Sequence, residues 1–262
     1  MSRAGRVRAD ELVLLQGLAP SRSQAKVLVL AGEILTPDGR VTKPAELLPA
    51  DTRLSLRSKP RYVSRGGLKL EAALVAFGID PAGLVAADIG ASTGGFTDCL
   101  LQAGAARVYA VDVGYGQLAY ALREDPRVVV MERTNARHLP ALPDPVDLIV
   151  CDVSFISLTL VLPAALRSLA SRGRVVALVK PQFEAGRGAV NRRGVVTDER
   201  VRERVVRDIV GFARSLDLGV EGVLRSPVAG PAGNEEFLLA LRLGARASED
   251  TVNAAIQTVF TL

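Results

Sequence analysis

The sequence predicts an α/β protein in which a small α+β module precedes a larger domain built on a mostly parallel sheet. After residue 83, short apolar stretches alternate with helical patterns, as expected for parallel strands with helices on both faces of the sheet. Before residue 58, two short helical patterns are followed by brief strand patterns. A length of 262 residues, with 48% apolar and 23% charged residues, suits one large domain with a small partner and excludes a disordered chain.

The excess positive charge of the chain is confined to its first quarter. Residues 1–70 hold 13 basic and 6 acidic side chains, whereas residues 71–262 hold 20 basic and 22 acidic ones. The formal net charge of +5 therefore arises from the N-terminal region. Such an excess indicates an anionic partner for that region.

Composition and apolar patterning exclude several classes of protein. The two cysteines, Cys99 and Cys151, are far apart, which argues against a disulfide scaffold and a zinc site. We therefore expect no metal and a reducing, cytoplasmic location. The longest apolar stretch, residues 155–166, is too short to span a membrane. No apolar core follows the arginines of the N-terminus, so no secretory signal is predicted.

The N-terminal module is predicted to contain two helices, over residues 9–16 and 22–31. Gly17 and Gly32 are the expected ends of these helices, and Ser21 is the expected N-cap of the second. The strands that follow are expected at residues 33–35 and 53–56.

The second of these helices carries a small basic ridge. Arg22 and Lys26 are four residues apart and therefore share one exposed face. The run from Gly17 to Lys26 resembles the α-L RNA-binding module of a small-subunit ribosomal protein and of several RNA-modifying enzymes. The resemblance implies that this helix faces phosphates, with Arg22, Lys26 and the preceding Arg6 as RNA contacts.

Residues 60–68 are interpreted as a basic linker. Pro60 and the pair Gly66-Gly67 interrupt regular structure, so a domain boundary is expected there. The predicted organisation is an RNA-binding domain over residues 1–59, the linker over 60–68 and a catalytic domain over 69–262. Two arginines of the linker are further candidate RNA contacts: Arg61 and Arg65.

The larger domain is predicted to contain seven strands separated mostly by helices. The strands are expected at residues 84–89, 108–113, 128–131, 148–153, 175–179, 220–224 and 237–243. The helices are expected at about residues 95–103, 116–123, 157–170 and 197–215. In such a sheet, ligands bind beyond the carboxyl ends of the strands.

The turn after the first of these strands, from Asp88 to Asp98, is rich in glycine. Its spacing is neither that of the dinucleotide fingerprint nor that of the P-loop, which disfavours a nicotinamide enzyme and an ATPase. The pattern Asp-x-Gly-x-x-x-Gly-Gly-Phe instead resembles the S-adenosylmethionine loop of Rossmann-like methyltransferases. The resemblance implies that Asp88 faces the methionine end of this cofactor and that Asp112, 24 residues later, binds its ribose hydroxyls. The implied cofactor contacts are Asp88, Gly90, Ser92, Thr93, Gly94, Gly95, Phe96, Asp112 and Asn135.

Charged residues stand at strand ends where a purely structural sheet would not need them. Asp152 and Lys180 end the fourth and fifth predicted strands, and Glu236 precedes the seventh. Together with Lys69, they resemble the Lys-Asp-Lys-Glu tetrad of FtsJ-type RNA ribose 2′-O-methyltransferases. Glu236 is preferred to Glu235 because of the Asn-x-Glu-Phe spacing.

The α-L module, the cofactor loop and the tetrad together resemble the TlyA family over nearly the whole chain, to about residue 243. Members of that family are rRNA cytidine 2′-O-methyltransferases, and some are also described as hemolysins. The resemblance implies a Rossmann-like methyltransferase domain, S-adenosylmethionine as cofactor, and ribosomal RNA or ribosomal subunits as the partner.

The chemistry of ribose methylation gives each member of the tetrad a role. A hydroxyl is a poor nucleophile, so in-line transfer of a methyl group from a sulfonium requires that the oxygen shed its proton. A lysine accepts that proton only when its pKa lies far below the usual value of about 10.4. We assign Lys180 as the base, Asp152 as the residue that orients it, and Lys69 with Glu236 as the groups that position ribose and phosphate.

Three other functions are compatible with parts of the sequence. A membrane-active hemolysin follows from the second description of the family, although no span or long amphipathic anchor is visible. A pseudouridine synthase can carry the α-L module but needs no glycine-rich cofactor loop. A catalytically inactive RNA-binding assembly factor would not need the tetrad.

Two further features complete the prediction. The Gly- and Arg-rich segment 185–195 is expected to be a mobile loop that contacts RNA phosphates through Arg192 and Arg193. His138, the only histidine, has no triad or ligand partner nearby in the sequence and is interpreted as structural.

Overall fold

A computed structural model of the protein describes residues 5–57 and 60–261, and the chain divides after Pro60 into two compact units. Along the first unit the elements are β1 (Arg6–Arg8), α1 (Ala9–Leu15), α2 (Arg22–Leu30), β2 (Ile34–Thr36), β3 (Gly39–Val41), β4 (Leu47–Pro49) and β5 (Ser55–Leu56).

The first unit folds around one apolar cluster. Strand β1 pairs antiparallel with β4, and β2 pairs antiparallel with both β3 and β5. Ser21 caps α2 as expected, because its Oγ accepts a hydrogen bond from the Gln24 amide at 3.2 Å. The fully buried members of the core include Val13, Ala25, Val29 and Ile34. The predicted α+β character of this module is confirmed.

The second unit alternates helices and strands. Along the chain its elements are α3 (Gly66–Ala76), β6 (Val85–Ile89), α4 (Gly95–Gln102), β7 (Arg107–Val111), α5 (Tyr120–Arg123), β8 (Val128–Met131), β9 (Val146–Cys151), α6 (Leu158–Ala165), β10 (Leu169–Val179), α7 (Pro181–Glu184), α8 (Glu199–Ser215), β11 (Leu218–Arg225), β12 (Phe237–Leu243) and α9 (Glu249–Phe260).

The strands of the second unit form one seven-stranded sheet in the order β11-β12-β10-β9-β6-β7-β8. The pairs among β10, β9, β6, β7 and β8 are parallel, whereas β12 runs antiparallel to β10 and β11. Residues such as Ile209 of α8 cover one face of the sheet, and residues such as Leu70 of α3 belong to the core of the other. The predicted seven-stranded, mostly parallel sheet is confirmed.

The antiparallel direction of β12 places its first residue at the carboxyl ends of the parallel strands. Phe237 is the register partner of Val179, the last residue of β10. Glu236 and Lys180, which lie directly outside this pair, therefore meet at one edge of the sheet.

The structure corrects the interpretation of Gly66 and Gly67 as a break in regular structure. They form the first turn of α3, and residues from Arg61 onward belong to the second unit. The reason is close packing, because a Cβ on Gly67 would lie 2.2 Å from Cγ of Tyr62. Lys69 thus stands on a helix. Residues 58 and 59, at the predicted domain boundary, lie outside the described residues.

Helix lengths also differ from the prediction. Helix α5 covers only the end of the predicted segment 116–123, and α6 ends at Ala165 because β10 begins at Leu169. Helices α3 and α9 have no counterpart in the prediction.

Candidate active site

The four residues of the predicted tetrad come together as two ion pairs. Nζ of Lys69 lies 2.5 Å from Oε2 of Glu236. Nζ of Lys180 lies 2.6 Å from Oδ1 of Asp152 and donates a hydrogen bond to Oγ of Ser154 at 2.9 Å. Helix α3 contributes the first lysine, and the ends of β9, β10 and β12 contribute the other three tetrad residues.

The two pairs differ in how far they reach solvent. Three members of the tetrad are buried: Lys69, Lys180 and Glu236, the last only 1% exposed. The side chain of Asp152, in contrast, is 21% exposed to solvent. Buried charges are tolerated when they are paired, and removing one partner is costly. Both lysines and Asp152 line one cavity of about 260 Å³. Glu236 does not line it, so this carboxylate lies on the buried side of Lys69 and not at the cavity.

The neighbouring Glu235 has a separate set of partners. Its Oε2 lies 3.0 Å from Nη1 of Arg202 and 3.2 Å from Nη1 of Arg225. These arginines belong to α8 and β11. Glu235 is therefore part of a structural ion-pair network, and Glu236 is the carboxylate that meets the lysine.

A second cavity of about 470 Å³ lies at the ends of β6, β7, β8 and β9. It shares part of its lining with the first, namely Gly90, Ser92, Asp152 and Ser154. Gly90 has φ +90°, and a Cβ there would lie 2.6 Å from the backbone oxygen of Asp152. Only glycine fits this position without displacing the backbone that ends β9.

The carboxylate of Asp112 is fixed in the wall of the second cavity. Its Oδ2 accepts a hydrogen bond from the Ser92 amide at 2.8 Å, and its Oδ1 accepts one from the Gly114 amide at 2.7 Å. A carboxylate oxygen has two lone pairs, so both atoms retain acceptor capacity. Asn135 lines the same cavity, and its Oδ1 accepts a hydrogen bond from the Arg137 amide at 3.0 Å.

Asp88, which the sequence places at the methionine end of a cofactor, lies beneath the loop and does not reach either cavity. This residue is fully buried and lines neither cavity. Its Oδ2 accepts hydrogen bonds from the Thr97 amide at 2.9 Å and from Oγ1 of Thr97 at 2.7 Å. Burial raises the pKa of Asp88 to about 7 in spite of these bonds. Asp88 therefore anchors the first turn of α4 beneath the glycine-rich loop.

The loop residues from Thr93 onward that are named as cofactor contacts do not line the larger cavity. Thr93, Gly95 and Phe96 line the cavity of the tetrad and not the larger one. Gly94 lines neither cavity and packs closely against α5: it has φ +97°, and a Cβ there would lie 2.2 Å from Cδ1 of Leu122. In the glycine pair of the loop, Gly94 therefore allows close packing against Leu122, and Gly95 lines the cavity of the tetrad.

Two residues of the site were missed in the sequence. Ser154 holds Nζ of Lys180, and Phe155 is 89% exposed with φ +63°, a backbone conformation that bulky residues rarely adopt. The ring of Phe155 lies 4.9 Å from that of Phe183 and lines the larger cavity. Their position directly after Asp152, at a strand end, was the signal that could have revealed them.

In the first unit, Arg22 is engaged in a way that the sequence did not reveal. Its Nε lies 3.2 Å from Oδ2 of the fully buried Asp10, which also pairs with Arg8 at 3.0 Å. The hydrogen bonds from Arg8, followed in importance by Arg22, lower the pKa of Asp10 to about 2. The side chain of Arg22 is still 50% exposed, and Arg6 and Lys26 are exposed as expected.

The candidate RNA contacts of the second unit are exposed. Arg65 lines the cavity of the tetrad, whereas Arg61 pairs with Glu71 and stacks on Tyr62, 5.3 Å from its ring centre. Arg192 and Arg193 lie on an exposed turn, and the exposed His138 ends a short 3-10 helix, residues 136–138.

Comparisons with known proteins identify the family of this chain. The model of the FtsJ-like methyltransferase family matches residues 62–243. The 16S/23S rRNA (cytidine-2′-O)-methyltransferase TlyA of Mycobacterium tuberculosis is 48% identical over an alignment of 263 positions, which covers 97% of this chain and 98% of that protein. Hemolysin A of Brachyspira hyodysenteriae is 42% identical, with 88% and 98% coverage.

A solved structure from Streptococcus thermophilus is 44% identical, with a TM-score of 0.75 and coverage of 98% of this chain and 95% of that one. Within residues 5–57 and 60–261, no helix combines the length and apolar character needed to cross a bilayer. The family predicted from the sequence motifs is confirmed. On the strength of the family match and of near-full-length identity to its relatives, the chain belongs to the TlyA family of FtsJ-like methyltransferases.

Proposed function

We propose that the protein transfers a methyl group from S-adenosylmethionine to the ribose 2′-hydroxyl of a cytidine in ribosomal RNA. The observation that carries this proposal is the pair of buried lysine–carboxylate contacts, with both lysines facing one cavity. That cavity shares its wall with a larger one at the carboxyl ends of the strands. The name of the Mycobacterium tuberculosis relative supports cytidine, the 2′-oxygen and ribosomal RNA as the finer assignment.

The residues of the larger cavity fit S-adenosylmethionine. The absence of a Cβ at Gly90 allows the loop to approach the Asp152 backbone closely where both line the cavity, and the fixed Asp112 carboxylate suits a pair of ribose hydroxyls. Asn135 and the apolar Val113 and Ile156 would border the adenine. When bound, this cofactor supplies an electrophilic methyl group on a sulfonium.

In this proposal Lys180 removes the proton of the attacking hydroxyl. Asp152 and Ser154 hold its Nζ at the cavity wall, so that the lysine needs no reorganisation when the ribose arrives. The hydroxyl proton passes to Nζ of Lys180, and Asp152 stabilises the ammonium that results.

The other pair positions the RNA. Lys69 presents its ammonium to the same cavity while Glu236 neutralises it from the buried side. Arg65, exposed at the rim of that cavity, is placed to hold a phosphate next to the target ribose. Glu236 is therefore a positioning residue that acts through Lys69.

The experiment that tests this function is tritium transfer from labelled S-adenosylmethionine to purified 30S, 50S and 70S particles, followed by mapping of the labelled nucleotide. We expect label in a 2′-O-methylcytidine. Label on a base, or no label in any of the three particles, would contradict the proposal and favour an RNA-binding assembly factor. The proposed location of this reaction is the cytoplasm, where ribosomal subunits are found.

The name of the Brachyspira relative raises membrane lysis as an alternative. Release of a dye from liposomes by the pure protein at micromolar concentration tests that alternative directly. We expect no release above the buffer control under conditions in which methyl transfer is measurable.

A further inference from the structure

Asn234 is a buried polar residue that the proposed reaction does not use. Only 3% of its surface is exposed, and it stands two residues before Glu236. Its Nδ2 donates a hydrogen bond to the Gly194 carbonyl at 2.9 Å, and its Oδ1 accepts one from the Val196 amide at 3.1 Å. Both partners lie about 40 residues earlier in the chain, so this side chain joins two distant segments.

The segment that Asn234 holds is a closed turn. Oδ1 of Asn191 accepts hydrogen bonds from the amides of Arg193 at 2.8 Å and Val195 at 3.1 Å, and the Gly194 amide donates to the Asn191 carbonyl at 2.9 Å. Directly after the turn, Val196 is buried and anchors it to the domain. The two arginines at the tip of the turn, Arg192 and Arg193, are exposed.

This turn is connected to two segments of the chain that carry tetrad residues. It follows Lys180 along the chain through α7, and it is hydrogen-bonded at its far end to Asn234, next but one to Glu236. The turn is therefore docked to the segment that precedes Glu236 and is not a loop without contacts. A buried amide with both of its polar atoms bonded gains stability that is lost when either partner is removed.

We propose that Asn234 is a positioning residue that fixes the Arg192–Arg193 turn beside the tetrad, where the two guanidinium groups bind phosphates of the RNA strand that flanks the target ribose. Guanidinium groups match phosphate geometry, and arginines on a fixed turn lose less conformational entropy on binding. The assignment of RNA as the ligand rests on the function proposed above, whereas the docking of the turn does not.

Trypsin tests the docking without any RNA. The rate of cleavage after Arg192 and Arg193, measured by mass spectrometry, reports how often the turn opens locally. We expect Asn234→Ala to accelerate cleavage at these two bonds about tenfold, because two hydrogen bonds are lost. Asn253→Ala is the matched control, since Asn253 is an exposed residue of α9 that accepts a hydrogen bond from Arg207.

A double-mutant cycle tests the role in RNA binding, with poly(C) as the probe at fixed salt. Asn234→Ala and the double variant Arg192→Ala/Arg193→Ala should each weaken binding about tenfold, whereas the triple variant should be no weaker than the arginine double variant. In methyl transfer to ribosomal particles, Asn234→Ala should raise KM about tenfold and change kcat by less than about threefold.

Several results would overturn the proposal. Unchanged trypsin cleavage in Asn234→Ala, additive losses in the cycle, or a fall in kcat at constant KM would each do so. Asn234→Asp, which keeps the acceptor for Val196 but sets a carboxylate oxygen against the Gly194 carbonyl in place of the donor, replaces Asn234→Ala throughout if the alanine variant fails to fold. Failure of the wild-type protein to methylate ribosomal particles would instead refute the proposed function while leaving the trypsin result intact.

Discussion

Lys69 and Glu236 are separated by 167 residues in the chain, and their Nζ and Oε2 atoms lie 2.5 Å apart. Breaking a buried ion pair by neutralising one partner leaves the other charge unpaired. We therefore expect Glu236→Gln to lower the free energy of unfolding by about 3 kcal/mol in urea titrations. The variant Lys69→Met/Glu236→Gln should recover part of this loss, because no unpaired charge remains.

The adjacent Glu235→Gln is the matched control for that experiment. Its carboxylate is 35% exposed and pairs with Arg202 and Arg225, so its loss should cost about 1 kcal/mol or less. Methyl transfer should fall in Glu236→Gln and persist in Glu235→Gln. Equal losses of stability and activity in the two variants would refute the distinct roles of these neighbours.

Lys180→Met should reduce kcat at least about a hundredfold, because a general base is removed from the reaction. Its Nζ contacts Asp152 and Ser154 and not the Asp112 side of the larger cavity, so calorimetry should give a Kd for S-adenosylmethionine within a few-fold of the wild-type value. Lys43→Met, at an exposed lysine, controls for the loss of a positive charge. Substantial turnover in Lys180→Met would exclude this lysine as the base.

Gly90→Ala tests the close approach of two backbones in the site. A Cβ would meet the Asp152 carbonyl at 2.6 Å, in addition to the cost of φ +90° for an L-residue. We expect a destabilisation of more than about 2 kcal/mol and a Kd for S-adenosylmethionine raised at least tenfold. Gly78→Ala, with φ +59° and no atom within 4 Å of its Cβ, should cost only about 1 kcal/mol and leave the Kd unchanged.

The architecture was predictable where apolar periodicity is strong. Each strand of the large sheet was predicted, because β-α alternation follows from runs such as 148–153 and 175–179. Helix α3 was not predicted, because two adjacent glycines, Gly66 and Gly67, are typical of a break in regular structure. In the fold, Gly67 packs so closely against the Tyr62 ring that only glycine fits there, and this contact cannot be read from the sequence. Tertiary packing overrode local propensity there.

For the candidate site, residue types at strand ends were informative and side-chain partners were not. The tetrad was identifiable from its motifs. The buried position of Asp88, in contrast, depends on its hydrogen bond with Thr97. The separate roles of Glu235 and Glu236 depend on the arginines of α8 and β11 that pair with Glu235. Asn234 begins the Asn-x-Glu-Phe motif, yet its hydrogen-bond partners lie about 40 residues away in the chain. Such long-range contacts have no local sequence signature.

The raised pKa of Asp88 predicts a specific dependence of stability on pH. Since burial raises this pKa from 3.8 to about 7, the folded protein retains a proton that the unfolded chain releases, and this carboxyl destabilises the fold increasingly as the pH rises from about 4 to 7. The side chain of Asp88→Asn does not titrate. Its NH₂ group would stand in the place of Oδ1, which has no hydrogen-bond partner among the described residues.

Relative to the wild type, Asp88→Asn should therefore become more stable as the pH rises across that window, by up to about 4 kcal/mol. Urea unfolding of both proteins at pH 4.5, 6 and 7.5 measures the difference. Asp147→Asn, at an exposed carboxylate that accepts a hydrogen bond from the Val85 amide, serves as the control. A constant difference between Asp88→Asn and the wild type would contradict the assigned pKa.

Phe155 combines an unfavourable backbone conformation with an almost fully exposed ring, and neither feature stabilises the fold. Its φ of +63° costs about 1–2 kcal/mol, which Phe155→Gly would relieve, while the contact with Phe183 offsets part of that cost. We expect Phe155→Gly to change the free energy of unfolding by less than about 1 kcal/mol.

The same substitution should weaken the interaction with RNA, because an exposed ring at the rim of the site is suited to stack on a base, an interaction worth about 1–3 kcal/mol. KM for ribosomal particles should rise about tenfold or more in Phe155→Gly, and Phe155→Tyr should restore it. If Phe155→Gly left KM unchanged, or if Phe155→Tyr were as impaired as Phe155→Gly, the strain at this strand end would need an explanation other than recognition of RNA.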